Sequence, residues 1–112
     1  MVKNLKKLPA IFYRTSMGVE PVRELTAEDR RVIGFDNATA EFGWPLGMPL
    51  CRSMGGGLWE IRSHLDHGRI ARVFFCVSGG SMVLLHGFVK KSRKTPLTEL
   101  TLALRRYKEI AR

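Results

Sequence analysis

The sequence predicts an α+β domain in which an antiparallel sheet carries helices packed on one side. Three observations predict it: strand-like runs follow one another between Leu58 and Phe88, a helix signal precedes them, and a second helix signal follows. At 112 residues the chain is expected to form one domain, residues 1–112, around a single modest core.

Pro9 opens Ala10-Ile-Phe-Tyr-Arg14, a short β-branched and aromatic run that reads as a first strand. Met17-Gly18 and Glu20-Pro21 mark a turn. Thr26-Ala-Glu-Asp29 has the form of a capping box, so a helix is expected to about Phe42. Ile33, Asn37, Ala40 and Trp44 are spaced to share its inner face. Gly43 and Pro45 stop it, and the prolines of Trp44–Pro49 make that stretch a loop. After Gly55-Gly56-Gly57, Leu58–Arg62 alternates, with Glu60 and Arg62 on one side and Trp59 on the other. Arg69–Val77 is a second strand after the turn His64–Gly68, and Ser78-Gly-Gly-Ser81 closes a hairpin. Met82–Phe88 is the most apolar run, which places it centrally. Thr95 as cap and Pro96 at the first helical position start a last helix. Leu100, Ala103, Leu104, Tyr107 and Ala111 form its packing stripe, while Arg105, Arg106, Lys108 and Arg112 face solvent.

Nineteen Lys and Arg against ten Asp and Glu give a net charge of +9. Such an excess attracts polyanions, and its distribution points to nucleic acid. From Ile61 to Thr98 the only acid is Asp66, whereas the same stretch carries Arg62, Arg69, Arg72, Lys90, Lys91, Arg93 and Lys94. Cys51 and Cys76 are isolated and read as reduced thiols, Cys76 as a small core residue. No apolar run approaches the ~20 residues of a membrane span. The basic opening segment is followed by too short an apolar patch for a signal peptide, so the chain is expected in the cytoplasm. His64-x-Asp66-His67 lacks a third and fourth ligand, so no metal is expected. The glycine triplet is not followed by a Lys-Ser/Thr pair, so no P-loop is implied and no cofactor is expected.

The ordered set Gly57-Leu-Trp-Glu-Ile-Arg62, Arg69-x-x-Arg72, Leu84-Leu-His-Gly-Phe-Val-Lys-Lys91 and Lys94-Thr-Pro96 resembles the RelE/HigB toxin superfamily, in particular its phage-related HigB-like branch. The likeness runs from the Tyr13-Arg14 strand through Phe42–Pro49 to the last helix. It implies a RelE-like fold whose open sheet face is an RNA site. It also implies a toxin of a type II toxin–antitoxin pair that cuts messenger RNA at the ribosome without metal. The partner it implies is a cognate helix-turn-helix antitoxin.

RNA is cut without metal when its own 2′-hydroxyl attacks the adjacent phosphate. The enzyme must hold the nucleotide in line, take a proton and stabilise added charge on phosphorus. Arg62 and Arg72 fall on neighbouring strands, and Lys90 and Lys91 leave the end of the third, so they can converge on one phosphate. Arg72 is the expected phosphate clamp, because a guanidinium fork matches two oxygens at once. Lys91 and Arg62 share the transition-state charge; Arg69, Lys90, Arg93 and Lys94 extend the RNA contact. Glu60 shares a side with Arg62 and is either an ion-pair partner or the general base. His86 reads as a hydrogen-bonded core residue. Many relatives carry a tyrosine or histidine just beyond the third strand; here Ser92-Arg-Lys-Thr-Pro96 has neither, which leaves the general acid unassigned. The same patch also suits a non-catalytic RNA- or ribosome-binding module, or a degenerate toxin that only binds its antitoxin.

Overall fold

A computed structural model describes residues 8–18, 27–44, 50–90 and 96–110 of the chain. The elements are β1 (Ala10–Phe12), α1 (Ala27–Gly43), β2 (Cys51–Gly55), β3 (Leu58–His64), a 3-10 turn (Asp66–Gly68), β4 (Ile70–Ser78), β5 (Ser81–Lys90) and α2 (Leu97–Ile110). Among the described residues the strands form one sheet in the order β1-β5-β4-β3-β2. β1 runs parallel to β5 and every other pairing is antiparallel. The expected α+β class and mainly antiparallel sheet are found. β5 lies inside the sheet, as its apolar run predicts, paired with β1 on one side and β4 on the other, and β4 is the middle of the five strands.

Local chemistry accounts for the elements. Gly79 and Gly80 adopt φ of 57° and 76°, the pair of positive values that a two-residue turn needs between strongly twisted strands. Ser78 accordingly lies opposite Ser81. Pro96 accepts from the backbone N–H groups of Glu99 and Leu100 and so starts α2 within a residue of the expected point. β2 has no counterpart in the sequence reading. Its residues, Cys-Arg-Ser-Met-Gly, carry little strand preference, and pairing with β3 holds it, Cys51 opposite Ile61 and Arg52 opposite Glu60. Thr26, the Glu20-Pro21 turn, the Pro45–Pro49 stretch, Thr95, Ala111 and Arg112 lie outside the described residues.

The two helices cover opposite faces of the sheet, which corrects the expectation of one covered side. α1 buries Ile33 and Ala40 against Cys51, Ile61, Ala71, Val73, Phe75, Met82 and Leu84. α2 packs Ala103, Leu100, Tyr107 and Ile110 on Leu58, Phe74, Cys76, Val83, Leu85 and Phe88. The physical reason is that β4 is apolar on both sides, odd positions facing α1 and even positions facing α2, as in a strand buried on both faces. Trp44 stands edge-on to Trp59 and Phe75, at ring distances of 4.9 and 5.3 Å. Both tryptophans are thus core residues, as alternation predicts. The buried Glu41 carboxylate accepts from the Ala10 backbone N–H at 2.7 Å and ties β1 to α1. Leu104, expected in the packing stripe, is exposed, and Ile110 packs in the α2 layer.

A bulge in β5 sets which side chains reach which layer. Phe74 lies opposite His86 while Phe75 lies opposite Leu84, so Leu85 is extra. Leu84 therefore joins the α1 layer, while Leu85, His86 and Phe88 all stand on the α2 side.

Candidate functional site

Arg62 and Arg72 occupy directly opposed positions of β3 and β4, so their side chains share one sheet face. Glu60, two residues before Arg62 on the same strand, emerges on that face too, and Arg52 of β2 lies opposite Glu60. The face is the one on which α2 packs further along the strands. Lys90 pairs with Ile70, two positions along from the Arg72–Phe88 pair, which brings the end of β5 to the same end of the sheet.

The group has a buried tier and an exposed one. Arg72 is 1% exposed and Glu60 0%, and they form an ion pair with Nε–Oε2 of 3.6 Å. Burial pushes the Arg72 guanidinium below the usual arginine value; Glu60 opposes this, while Arg62 and Arg52 add to it. Arg62 is half-buried and Arg52 exposed. Among the described residues, Arg52, Arg62 and Arg72 share this face with the one carboxylate of Glu60, a local positive surplus, and the outer two are placed to meet an anion from solvent. Of the two readings of Glu60, the geometry displays the ion pair.

The other expected contacts are distributed differently. Arg69 stands at the turn before β4, with its guanidinium on Asp66. Asp66 also lies 3.8 Å from His67. Lys91, Arg93 and Lys94 lie outside the described residues, and for Lys90 only the backbone position is described.

Sequence reasoning missed Arg52, because β2 itself was not legible. It also placed Arg106 in solvent. The Arg106 guanidinium instead donates to the Leu85 carbonyl at 2.9 Å and to His86 Nδ1 at 3.1 Å. A guanidinium has donors only, so Nδ1 is the acceptor and Nε2–H donates to Glu99 Oε1 at 2.8 Å. His86 is thus a hydrogen-bonded residue between β5 and α2, in keeping with its reading from sequence. Arg106 also lies over the Tyr13 ring, 5.4 Å from its centroid. The Tyr13 hydroxyl donates to Glu109, and this bond, with some burial, raises its pKa above the usual tyrosine value. Even spacing along α2 hides such contacts, since nothing in the sequence marks the carbonyl that the bulge leaves for Arg106.

The model of the phage-derived protein Gp49-like family (DUF891) matches residues 20–108. The chain belongs to this family. The match spans α1, the basic strands and nearly all of α2, so the cationic face of this Gp49-like protein lies wholly within the family region. No curated protein is significantly similar to it. Among the described residues of the Gp49-like chain, no helix is long and apolar enough to cross a membrane.

Proposed function

We propose that this Gp49-like protein is the toxin of a toxin–antitoxin pair, of RelE/HigB type, and cleaves messenger RNA at the ribosome in the cytoplasm without metal. The observation that carries the reading is the convergence of Arg52, Arg62 and Arg72 around Glu60 on one sheet face. Its order of motifs supports it further.

In this reading Arg62 and Lys91 receive the scissile phosphate, and Arg52, Arg69, Lys90, Arg93 and Lys94 hold the flanking backbone. Arg72 is too buried for a phosphate to touch without local opening. A phosphodiester seated on Arg62 competes with Glu60 for the Arg72 guanidinium. That exchange brings Arg72 into contact with the developing charge and releases the Glu60 carboxylate to take the 2′ proton. The 2′ oxygen then attacks phosphorus, the bond from phosphorus to the 5′ oxygen breaks, that oxygen takes a proton from solvent to become a 5′-hydroxyl, and a 2′,3′-cyclic phosphate remains. A co-expressed helix-turn-helix antitoxin restrains the protein.

The burial of the Glu60–Arg72 pair favours one second reading, an RNA- or ribosome-binding protein that grips with Arg52 and Arg62 and does not cut. Induced expression separates the two. Under the toxin reading, growth arrests, transcripts acquire new ends on primer extension, and Arg62→Ala with Lys91→Ala relieves both. Arrest with intact transcripts sinks the cleavage reading, and full toxicity of the double variant sinks the site.

A further inference from the structure

One side of α2 and the segment that leaves β1 border a second polar cleft. Leu102, Arg105, Arg106 and Glu109 follow the i, i+3, i+4, i+7 spacing that lines up one side of a helix. Facing them, Tyr13 is fixed by its backbone N–H on the Leu84 carbonyl at 2.9 Å, and Ser16 sits in the turn that the Gly18 N–H closes on the Thr15 carbonyl. The cleft has a volume of about 400 Å³, within the range of small-molecule sites. Arg106 is already positioned for recognition. Its Nη1 commits both hydrogens, one to the Leu85 carbonyl and one to His86 Nδ1, and the guanidinium lies over the Tyr13 ring. The opposite edge, Nε with Nη2, meets no acceptor among the described residues. Such an edge is the fork that takes two oxygens of one anion.

We propose that this cleft binds the terminal phosphate group of a nucleotide, either free or at the end of an RNA chain. A carboxylate has two oxygens, which the Arg106 fork uses up. A phosphate monoester has a third, and Arg105 stands ready for it, exposed and without an ion pair among the described residues. The exposed Ser16 hydroxyl adds a further donor. Glu109 stands on the same rim, its carboxylate accepting the Tyr13 hydroxyl. It repels a bare anion and accepts from the hydroxyl groups of an attached sugar, so a nucleotide suits the cleft better than inorganic phosphate. Leu102 offers an apolar wall for the base. The site stands apart from the Arg62 patch. His86, which holds Arg106, shares a row of the sheet with Glu60, with Phe74 between them; two strand spacings put it roughly 10 Å from Glu60. The cleft is read from these side chains and does not require that the protein cut RNA.

The test uses the purified full chain and titration calorimetry. The first pair of probes is adenosine 5′-monophosphate and adenosine. The second is a 2′-O-methyl oligoribonucleotide, which cannot attack its own phosphates, with and without a 5′-phosphate. The phosphate is expected to raise affinity at least ~10-fold in one pair or both, as for a gained hydrogen bond to a charged group. A gain with the monophosphate identifies a free nucleotide as ligand, and a gain confined to the oligonucleotide identifies the RNA end. Arg105→Glu should abolish the gain and leave the fold intact, since Arg105 is exposed. Arg106→Lys, which keeps the charge and loses the fork, should reduce it likewise. Lys108→Glu, the same charge reversal outside the cleft, should preserve it, as should Arg52→Ala with Arg62→Ala. Equal affinities with and without the phosphate in both pairs overturn the proposal. So does a gain that survives both cleft variants, or one that falls equally with Lys108→Glu or with the Arg52 and Arg62 substitutions. Because no probe is cut, each result is independent of the cleavage reading.

Discussion

Replacing Glu60 by alanine removes the one carboxylate that, among the described residues, shares a sheet face with Arg52, Arg62 and the buried Arg72. At 3.6 Å and an effective dielectric constant of about 20, the lost attraction to Arg72 is roughly 4–5 kcal/mol. The usual cost of leaving one partner of a buried pair is about 3–5 kcal/mol, and repulsion from Arg62 and Arg52 pushes this case toward the upper end. Against a total of about 5–15 kcal/mol for a domain, Glu60→Ala should forfeit a third or more of the stability. Urea titration should place the loss at 3 kcal/mol or above, with a melting temperature lower by about 10 °C or more. The double variant Glu60→Leu with Arg72→Met, which removes both charges and keeps the volume, should lie close to wild type or above it. Inorganic phosphate should stabilise Glu60→Ala more than wild type, by occupying the vacated charge. A single-variant loss under 1 kcal/mol, or a double variant no more stable than the single, refutes the view that this pair is a buried, mutually dependent unit.

Other perturbations probe the scaffold. Gly57 has φ of 91°, and a Cβ there would meet the Tyr107 hydroxyl at 2.3 Å; Gly57→Ala should cost about 1–2 kcal/mol by denaturant titration, and Tyr107→Ala alongside it should not restore the backbone part. Arg106→Ala strips the Leu85 carbonyl and His86 Nδ1 of their donor and should cost about 1–3 kcal/mol, whereas His86→Ala in that background should add less than it does alone. Burial raises the Cys51 thiol from about 9 to about 11 and Cys76 in the same direction. Because the folded chain then holds its thiol protons longer than the unfolded chain, stability is undiminished below pH 9 and falls as pH rises toward 11. Melting curves across that range check the sign, and both thiols should resist alkylation at pH 8 until the protein unfolds.

Periodicity and turn chemistry made much of this fold legible. The inner face of α1, the alternation of Leu58–Arg62 and the Ser78–Ser81 hairpin all follow from spacings of 3.6 or 2 residues. What escaped is what pairing alone decides. β2 has a composition unlike a strand, and Arg52 was lost with it. The bulge at Leu85 breaks the strict alternation that would keep Leu84 and His86 on one side. The placement of α2 opposite α1 depended on seeing that β4 is apolar on both sides. For the site, the sequence brought Glu60, Arg62 and Arg72 to one face, and burial of two of them was invisible, since it depends on what packs over them.

The most direct test is the chemistry of RNA ends. Translating ribosomes programmed with a defined messenger, incubated with the purified chain in a metal chelator that spares the ribosome, should yield fragments ending in 2′,3′-cyclic phosphate. Arg52→Ala with Arg62→Ala should lower the rate at least ~100-fold, the scale for removing a preorganised stabiliser of transition-state charge. A messenger left intact by the wild type, or cut equally fast by the double variant, contradicts the account.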